Sequence, residues 1–336
     1  MATSASTKTV WAAVIGNLLV ARTKIVAAVF SGSAAMASEA VHSVVDTGNE
    51  VLLLYGMGRS RRRPDAVHPF GYGRELYFWS FIVAVLLFGL GCIASMVQGI
   101  GQIRNPEPIE YPGLIYIVLV LSLLFEGSSW LIARQGFKPS VGSDGYLAAI
   151  KASKDPPQFV VLLEDTAALI GIGIVFIGTW ASTRWHEPRI DGIASVAIGV
   201  LLGAVALLLA RESKSLLIGE RADPQLEIDA FRIASGTAGV VSPNGILSAQ
   251  LAPDQVIVAL SLQFEDRLTT PEIEQLVVEM EARLRQAHPN VFVLYVKPQS
   301  PEAFAADRNR NRMTGAVSFP AAATMPNAEE VRGGRS

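Results

Sequence analysis

The chain has 336 residues, of which 50% are hydrophobic and only 17% are charged, and its mean hydropathy is +0.36. An average soluble domain has about 25% charged residues, so this composition predicts a membrane protein with an appended soluble part. The formal net charge of −2 does not indicate a nucleic-acid partner. The single cysteine, Cys92, lies in an apolar segment and excludes a disulfide framework within the chain.

Six segments are apolar over about 20 residues, the length that crosses a bilayer as a helix. They are Val10–Phe30, Ala34–Met57, Leu76–Ile100, Gly113–Ala133, Gln158–Trp180 and Ile190–Ala210. Residues 1–9 are too few and too polar for a cleaved signal peptide, so we expect the first segment to remain as an anchor. The sequence therefore predicts a short N-terminus at 1–9 and a six-helix transmembrane domain at 10–212.

The orientation of these helices follows from the lysines and arginines of the short loops, which collect on the cytoplasmic side. Basic residues lie between segments two and three, between four and five, and after six: Arg59, Arg61, Arg62, Arg63, Arg74, Arg134, Lys138, Lys151, Lys154, Arg211 and Lys214. The opposite loops hold fewer. Both termini are therefore predicted to be cytoplasmic.

The soluble part is predicted at 213–299 and has the order α-β-β-α-β. We expect helices at Asp223–Ser235 and Thr270–Ala287, and strands at Ile246–Leu251, Gln255–Glu265 and Val291–Val296. This order is typical of a small two-layer α+β domain. Residues 300–336 are rich in Ala, Arg, Asn and Gly without periodicity, and we interpret them as a disordered tail.

A polar stripe runs along the second apolar segment. His42 and Asp46 are four residues apart and therefore project from one helix face, as a two-ligand arm for a divalent metal would. Glu39, Asn49 and Glu50 extend the stripe. Because such groups are costly in lipid, the stripe must face other helices or water.

The fifth segment contributes Glu164 and Asp165 at a similar depth, since Asp46 and Asp165 lie about 16 and 10 Å from the cytoplasmic face at roughly 1.5 Å per residue. His42, Asp46 and Asp165 would supply one nitrogen and two carboxylates, which zinc accepts in tetrahedral geometry with a water or a fourth side chain. The alternative is that these groups only join helices through hydrogen bonds.

Three further charged residues lie in apolar segments. Glu126 of the fourth segment is either a proton carrier or a structural partner. Arg22 and Lys24 of the first segment need partners or snorkelling, and we expect ion pairs with the buried acids.

Several motifs together resemble the cation diffusion facilitator family of metal/proton antiporters. They are Thr23-Lys24, Ser31-Gly32-Ser33, Glu39-Ala40-Val41-His42-Ser43-Val44-Val45-Asp46, His68-Pro69-Phe70-Gly71-Tyr72-Gly73-Arg74-Glu75 and Asp191-Gly192-Ile193-Ala194-Ser195. The run Leu162-Leu163-Glu164-Asp165-Thr166-Ala167 is most similar to the branch that contains the mitochondrial zinc exporter of animals.

The resemblance implies a homodimer in a bilayer, a ferredoxin-like cytoplasmic domain and, for this chain, a bacterial inner membrane. It implies export of a divalent metal, zinc first, against protons by alternating access, with no enzymatic activity and no cofactor other than the metal as substrate. His42 and Asp46 match the second-helix pair of the family, and Asp165 matches one carboxylate of the fifth-helix pair.

The chain departs from the family at three places. Val161 stands where the family usually has His or Asp, so the site loses a ligand unless Glu164 or water replaces it. This tilts preference toward manganese, iron or cobalt. A loop site is partly kept as Asp65 and His68, with Tyr72 at a position that is often histidine. The last strand has Tyr295-Val296-Lys297-Pro298 in place of a metal motif, and His288 is expected to cap a helix end.

Two rival functions remain open from the sequence. One is a membrane metal sensor or scaffold that binds without translocation, which the loss of a ligand at Val161 favours. The other is a cation channel without proton coupling. An enzyme has little support, because the soluble parts have no Ser-His-Asp set, no Gly-rich phosphate loop and no His-Glu-x-x-His motif.

Overall fold

The computed structural model describes residues 4–138 and 145–310, with side chains from residue 17 onward. The chain divides into two compact units between Lys214 and Ser215. The helices of the first unit are α1 (Ser4–Ser31), α2 (Ala34–Ser60), α3 (Glu75–Leu86), α4 (Ile93–Arg104), α5 (Pro112–Phe137), α6 (Gly145–Ala152), α7 (Pro156–Trp185) and most of α8 (Arg189–Ile218), the helix in which the division falls. A π-helical turn, Leu87–Cys92, joins α3 to α4.

Helix α2 is the central helix of the first unit. A tight turn at Gly32, whose φ is +65°, separates it from α1, and glycine accepts this left-handed conformation without steric cost. Ser33 then begins α2, because its hydroxyl accepts a hydrogen bond from the N–H of Met36. Since α2 packs against α1, α3, α4 and α7, its polar stripe faces other helices, as predicted.

Small residues allow two helices of this unit to approach until their backbones touch. A Cβ on Gly99 of α4 would lie 2.7 Å from the carbonyl oxygen of Gly192 on α8, and one on Gly192 would lie 2.8 Å from that of Gly99. Close crossings over small residues are the usual packing of helices in membranes, where no hydrophobic force acts between them.

Four helical segments of the described residues are long and apolar enough to cross a membrane. They are Glu75–Arg104, Pro112–Phe137, Pro156–Trp185 and Arg189–Ile218, which cover the predicted third to sixth spans. The protein is thus a helical membrane protein. Helix α2 is not in this set because Glu39, Asp46 and Glu50 lower its hydropathy.

The second unit is a small α+β domain. Its elements are α9 (Pro224–Ser235), β1 (Val240–Ala252), β2 (Gln255–Phe264), α10 (Thr270–Ala287), β3 (Val291–Pro298) and α11 (Pro301–Arg310). The predicted α-β-β-α-β order is confirmed. The sheet has the order β1-β2-β3, with β1 antiparallel and β3 parallel to β2. Its core includes Leu226 of α9, Val258 and Leu260 of β2, and Met280 and Leu284 of α10.

The prediction of a disordered tail at 300–336 is wrong over its first part. Residues Pro301–Arg310 form α11, and Phe304 packs so closely on Gly245 of β1 that a Cβ there would lie 2.4 Å from the ring. The carboxylate of Asp307 accepts hydrogen bonds from Lys297 and Gln299. Composition alone missed these contacts. Residues 311–336 lie outside the described part of the chain.

Candidate functional site

A cavity lies among four helices of the first unit and has about 490 Å³ of empty volume, including its open mouth. Helices α1, α2, α5 and α7 supply its lining, which is Asn17, Val20, Ser43, Asp46, Glu50, Glu126, Ser129, Val161, Glu164, Asp165 and Ala168. The lining includes five carboxylates and no cationic side chain among the residues described. A cavity with this lining favours cations over anions.

Hydrogen bonds from neighbouring helices hold most of these carboxylates in place. Asn49 of α2 donates to Glu164 of α7 at 2.6 Å, and Ser129 of α5 donates to Asp165 at 2.8 Å. Glu50 accepts from Asn17 of α1 at 2.6 Å, while its Oε2 is buried without a partner. Each donor fixes one oxygen of a carboxylate and leaves the other for a further ligand.

The predicted pair His42 and Asp46 is adjacent, as the four-residue spacing requires. The imidazole is fully buried, and its Nδ1 lies 3.2 Å from Asp46 Oδ1. The two atoms are not aligned for a hydrogen bond, so both ring nitrogens and this oxygen have no hydrogen-bond partner. Buried polar atoms normally have partners. An orphaned imidazole beside a carboxylate is therefore suited to a metal or a proton.

The predicted ligands are only partly brought together. Asp46 and Asp165 line the same cavity from α2 and α7, whereas His42 is not part of the lining. Within residues 4–138 and 145–310, no three His, Cys, Asp or Glu side chains lie close enough to hold one metal ion. Val161 lines the cavity one turn before Asp165, which is where the missing ligand would stand.

Two of the other candidate residues belong to an ion cluster. Lys24 of α1 donates to Glu39 Oε2 at 2.9 Å and to Glu126 Oε1 at 2.6 Å. The expectation that Lys24 pairs with buried acids is therefore confirmed. Arg22 is exposed.

The loop between α2 and α3 holds the candidate residues Asp65 and His68, both exposed. Asp65 accepts hydrogen bonds from the Tyr72 hydroxyl at 2.6 Å and from the N–H groups of Val67 and His68. These bonds, that from Tyr72 foremost, lower the pKa of Asp65 to about 2. The carboxylate thus organises its own loop, and a metal ion there would compete with these donors.

Buried hydrogen bonds connect α8 to the start of α2. They explain the motifs Ser31-Gly32-Ser33 and Asp191-Gly192-Ile193-Ala194-Ser195. Asp191 accepts hydrogen bonds from the Ser33 hydroxyl at 2.6 Å and from the N–H of Ala34 at 2.5 Å. One turn further, Ser195 and Ser38 lie 2.6 Å apart. Because anionic groups are favourable at helix N-termini, Asp191 completes the cap of a helix to which it does not belong.

In the second unit, His288 ends α10 as predicted, but its ring does not bond the last carbonyls. Its Nε2 lies 3.0 Å from the Asp229 carboxylate of α9 instead. Burial raises the pKa of Asp229, but hydrogen bonds from His288 and Gln225 and the charge of Arg232 outweigh it, and the net pKa lies below the usual value. The ring therefore joins the two helices that cover the sheet.

Asn17 and Ser129 were not singled out from the sequence. Asn17 is a polar residue in an apolar helix, and this signal could have found it. Ser129 gives no such signal, because a serine occurs readily in apolar helices, where it can bond its own backbone. Its role follows only from the packing of α5 on α7.

Long apolar helices around an acidic cavity make the chain a membrane protein with a cavity suited to cations. The family model for the cation efflux transmembrane domain matches residues 10–218. The chain therefore belongs to the cation efflux family of metal transporters, and the resemblance inferred from its motifs is confirmed.

Known relatives differ in the metals that their names give. Metal tolerance protein C4 of Arabidopsis thaliana is 38% identical over 197 residues, which are 58% of this chain and 43% of that protein. The mitochondrial proton-coupled zinc antiporter SLC30A9 of Mus musculus is 31% identical over 265 residues, 78% of this chain and 47% of that protein. The manganese efflux system protein MneP of Bacillus subtilis is 25% identical over 222 residues, which are 66% of this chain and 71% of that protein. The chain thus spans less than half the length of the first two.

Proposed function

We propose that the protein exports divalent metal cations from the cytoplasm by exchange for protons, with zinc as the first candidate substrate. The observation that carries this proposal is the acidic cavity, which is lined by Asp46 from α2 and by Asp165 from α7. The family and the zinc antiporters among its relatives support it.

The mechanism is alternating access around the ligand set His42, Asp46 and Asp165. Metal ligands must be deprotonated, so metal and protons compete for the same groups. An imidazole ordinarily changes its charge in the physiological pH range, which makes His42 the best proton carrier of the three. In this scheme the metal draws His42 and Asp165 toward Asp46, and protons from the outer side later displace it.

Zinc preference rests on the number of nitrogen ligands. With Val161 in place of a fourth ligand, the set has one nitrogen and two carboxylates, and Glu164 or water completes it. Oxygen-rich sites suit manganese better than sites with several imidazoles do. Manganese, iron and cobalt are therefore alternative substrates, and MneP is a relative named for manganese.

The proposed assembly is a homodimer in a bacterial inner membrane with both termini in the cytoplasm. We add α1 and α2 to the four apolar helices, which makes six spans, since the polar residues of α2 face the protein interior. The second unit is then a cytoplasmic domain related to the ferredoxin-like fold. Glu39, Asn49, Glu126 and Glu164 are assigned to proton coupling or to additional coordination.

A second candidate function is a membrane metal sensor or scaffold that binds but does not translocate. The observation that favours it is Val161, which lines the cavity one turn before Asp165, where the resemblance to the family implies a ligand. It predicts stoichiometric metal binding without uphill flux.

The test is transport in proteoliposomes that contain a pH-sensitive dye, with Zn²⁺, Mn²⁺, Fe²⁺ and Co²⁺ supplied in parallel. We expect metal entry to drive proton exit in the parent protein and to be lost in Asp46→Asn and Asp165→Asn, which keep the side-chain shape. Asp254→Ala, at an exposed position, is the control. Parental flux in both cavity variants would contradict the assignment of Asp46 and Asp165 to the transport site. Metal binding without flux in the parent would establish the sensor or scaffold function instead.

A further inference from the structure

An ion cluster of three side chains joins three helices beside the cavity. Lys24 of α1 and Glu39 of α2 are fully buried, and Glu126 of α5 is nearly so, with 14% of its side chain exposed. The ammonium lies 2.9 Å from Glu39 Oε2 and 2.6 Å from Glu126 Oε1. One cation thus faces two carboxylates, each with its second oxygen buried and unpartnered.

Helix α7 completes the cluster through a residue that has no side chain. A Cβ on Gly171 would lie 1.9 Å from Glu39 Oε1, so the carboxylate occupies the space that any other residue would fill. All four helices that line the cavity therefore meet at the cluster.

The cluster lies at one end of the cavity along both α1 and α2. On α1, Lys24 follows the lining residue Val20 by four residues, which is about one helical turn. On α2, Glu39 precedes the lining residue Ser43 by four residues. Because α1 and α2 are antiparallel neighbours, these two steps lead in the same direction.

The other two helices also reach the cluster. On α7, Gly171 follows the lining residue Ala168 by three residues, while on α5 Glu126 itself lines the cavity. Glu126 is thus shared between the cavity and the cluster. Lys24 holds its carboxylate in a fixed position at the cavity end.

A cluster that served stability alone would not need charges. Replacing a buried ion set by apolar residues of similar volume is often neutral or stabilising, whereas removing one member leaves an uncompensated charge. Ion pairs inside membrane helices usually mark ion pathways. The excess negative charge beside a cation cavity agrees with such a role.

We propose that Lys24 is a positioning residue that closes this end of the cavity by tying Glu39 and Glu126 to α1. Opening of the cavity at this end requires Lys24 to release at least one of the two carboxylates. The inference rests on the proposed function for its direction, since with cytoplasmic termini this end is the outer one.

The test measures access to the cavity from each side of the membrane. The single native cysteine is removed by Cys92→Ala, and Val20→Cys then places a reporter in the cavity wall. A membrane-impermeant maleimide is applied to right-side-out and to inside-out vesicles. Lys24→Met, Lys24→Arg and Glu126→Gln are compared in this parent, and Lys151→Met, at an exposed lysine, is the control.

We expect the parent, the Arg variant and the control to be labelled from the cytoplasmic face only. Lys24→Met should be labelled from both faces, and Glu126→Gln should gain outer-face labelling about tenfold or more above the parent, since loss of one partner of a buried pair is a large perturbation. Glu126→Gln keeps the bond between Lys24 and Glu39. This variant therefore tests the inference if Lys24→Met does not fold into a monodisperse protein.

Unchanged single-face labelling in the folded variants overturns the inference, as does equal labelling of the parent from both faces. Failure of the proposed function is distinguishable, because labelling does not depend on transport. Transport with unaltered labelling would contradict only the role of Lys24.

Discussion

A 2.6 Å hydrogen bond joins the Asp191 carboxylate of α8 to the Ser33 hydroxyl that caps α2. The same carboxylate accepts from the N–H of Ala34 and Ala35. We predict that Asp191→Ala destabilises the protein by about 2 kcal/mol or more, because buried N–H groups lose their acceptor.

The measurement is the apparent melting temperature in detergent, which should fall by about 4–8 °C at about 2–4 °C per kcal/mol. Glu187→Ala in the preceding loop, where the side chain is half exposed, is the control and should melt as the parent does. Equal melting of both variants would show that α2 does not depend on this cap.

The contact between Gly171 and Glu39 yields a prediction with a matched pair of glycines. Gly171→Ala places a methyl group 1.9 Å from Glu39 Oε1, whereas a Cβ on Gly173 meets nothing within 4 Å. We expect Gly171→Ala to cost about 1–3 kcal/mol, as overpacking does, and to impair transport because Glu39 is displaced from Lys24. Gly173→Ala should melt at or slightly above the parental temperature, since alanine favours helix. If both variants melt and transport alike, α7 does not pack on Glu39 as described.

The valine in the cavity wall gives a prediction about selectivity. Val161→His adds an imidazole one turn before Asp165, and nitrogen ligands favour zinc over manganese. We expect the ratio of zinc to manganese transport in proteoliposomes to rise, with the direction of proton exchange unchanged. Val161→Ala serves as the control for volume and should leave the ratio as it is. An unchanged ratio in Val161→His would remove position 161 from the determinants of selectivity.

The Asp65 loop gives a prediction about pH. The hydrogen bond from Tyr72 and the N–H of His68 hold the pKa of Asp65 at about 2, below the ordinary value of 3.8. Because the folded pKa is the lower one, the loop bonds stabilise fully above about pH 4 and are lost as pH falls toward 2. Tyr72→Phe should raise the pKa of Asp65 toward 3.8.

The measurement is the titration of aspartate ¹³Cγ signals by NMR, with Asp65→Asn to identify the resonance. Tyr295→Phe, at an exposed tyrosine of β3, is the control. A pKa near 3.8 in the parent would contradict the hydrogen bonds described for this loop.

Much of the fold follows from the sequence because its signals are local. Apolar length predicts the long helices, and the cap at Thr269 with Pro271 predicts α10 to the residue. The π-helical turn was not predicted, since it depends on how α3 and α4 pack. Helix α11 was missed because its single aromatic anchor, Phe304, matters only against Gly245.

The candidate site was predicted by residue type but not by arrangement. The helical periodicity predicts His42 and Asp46 on one face of α2. The estimated depths of Asp46 and Asp165 in the membrane predict that Asp165 lies near this pair. Which carboxylate pairs with which donor depends on helix rotation, and rotation is decided by packing. The bond from Asn49 to Glu164 therefore could not be derived from either helix alone.

The π-helical turn at Leu87–Cys92 changes the direction in which the side chains of α4 point, relative to those of α3. A π turn amounts to one inserted residue, and one residue corresponds to about 100° of helix rotation. Without that residue, α4 would turn by this angle relative to α3, and Gly99 would point away from Gly192. Helix α3 packs on α2, while α4 packs on both α2 and α8. The turn allows the two halves of this segment to present different faces to these neighbours. A one-residue deletion in Leu87–Cys92 would therefore rotate α4 by about 100° and disturb its packing on both α2 and α8.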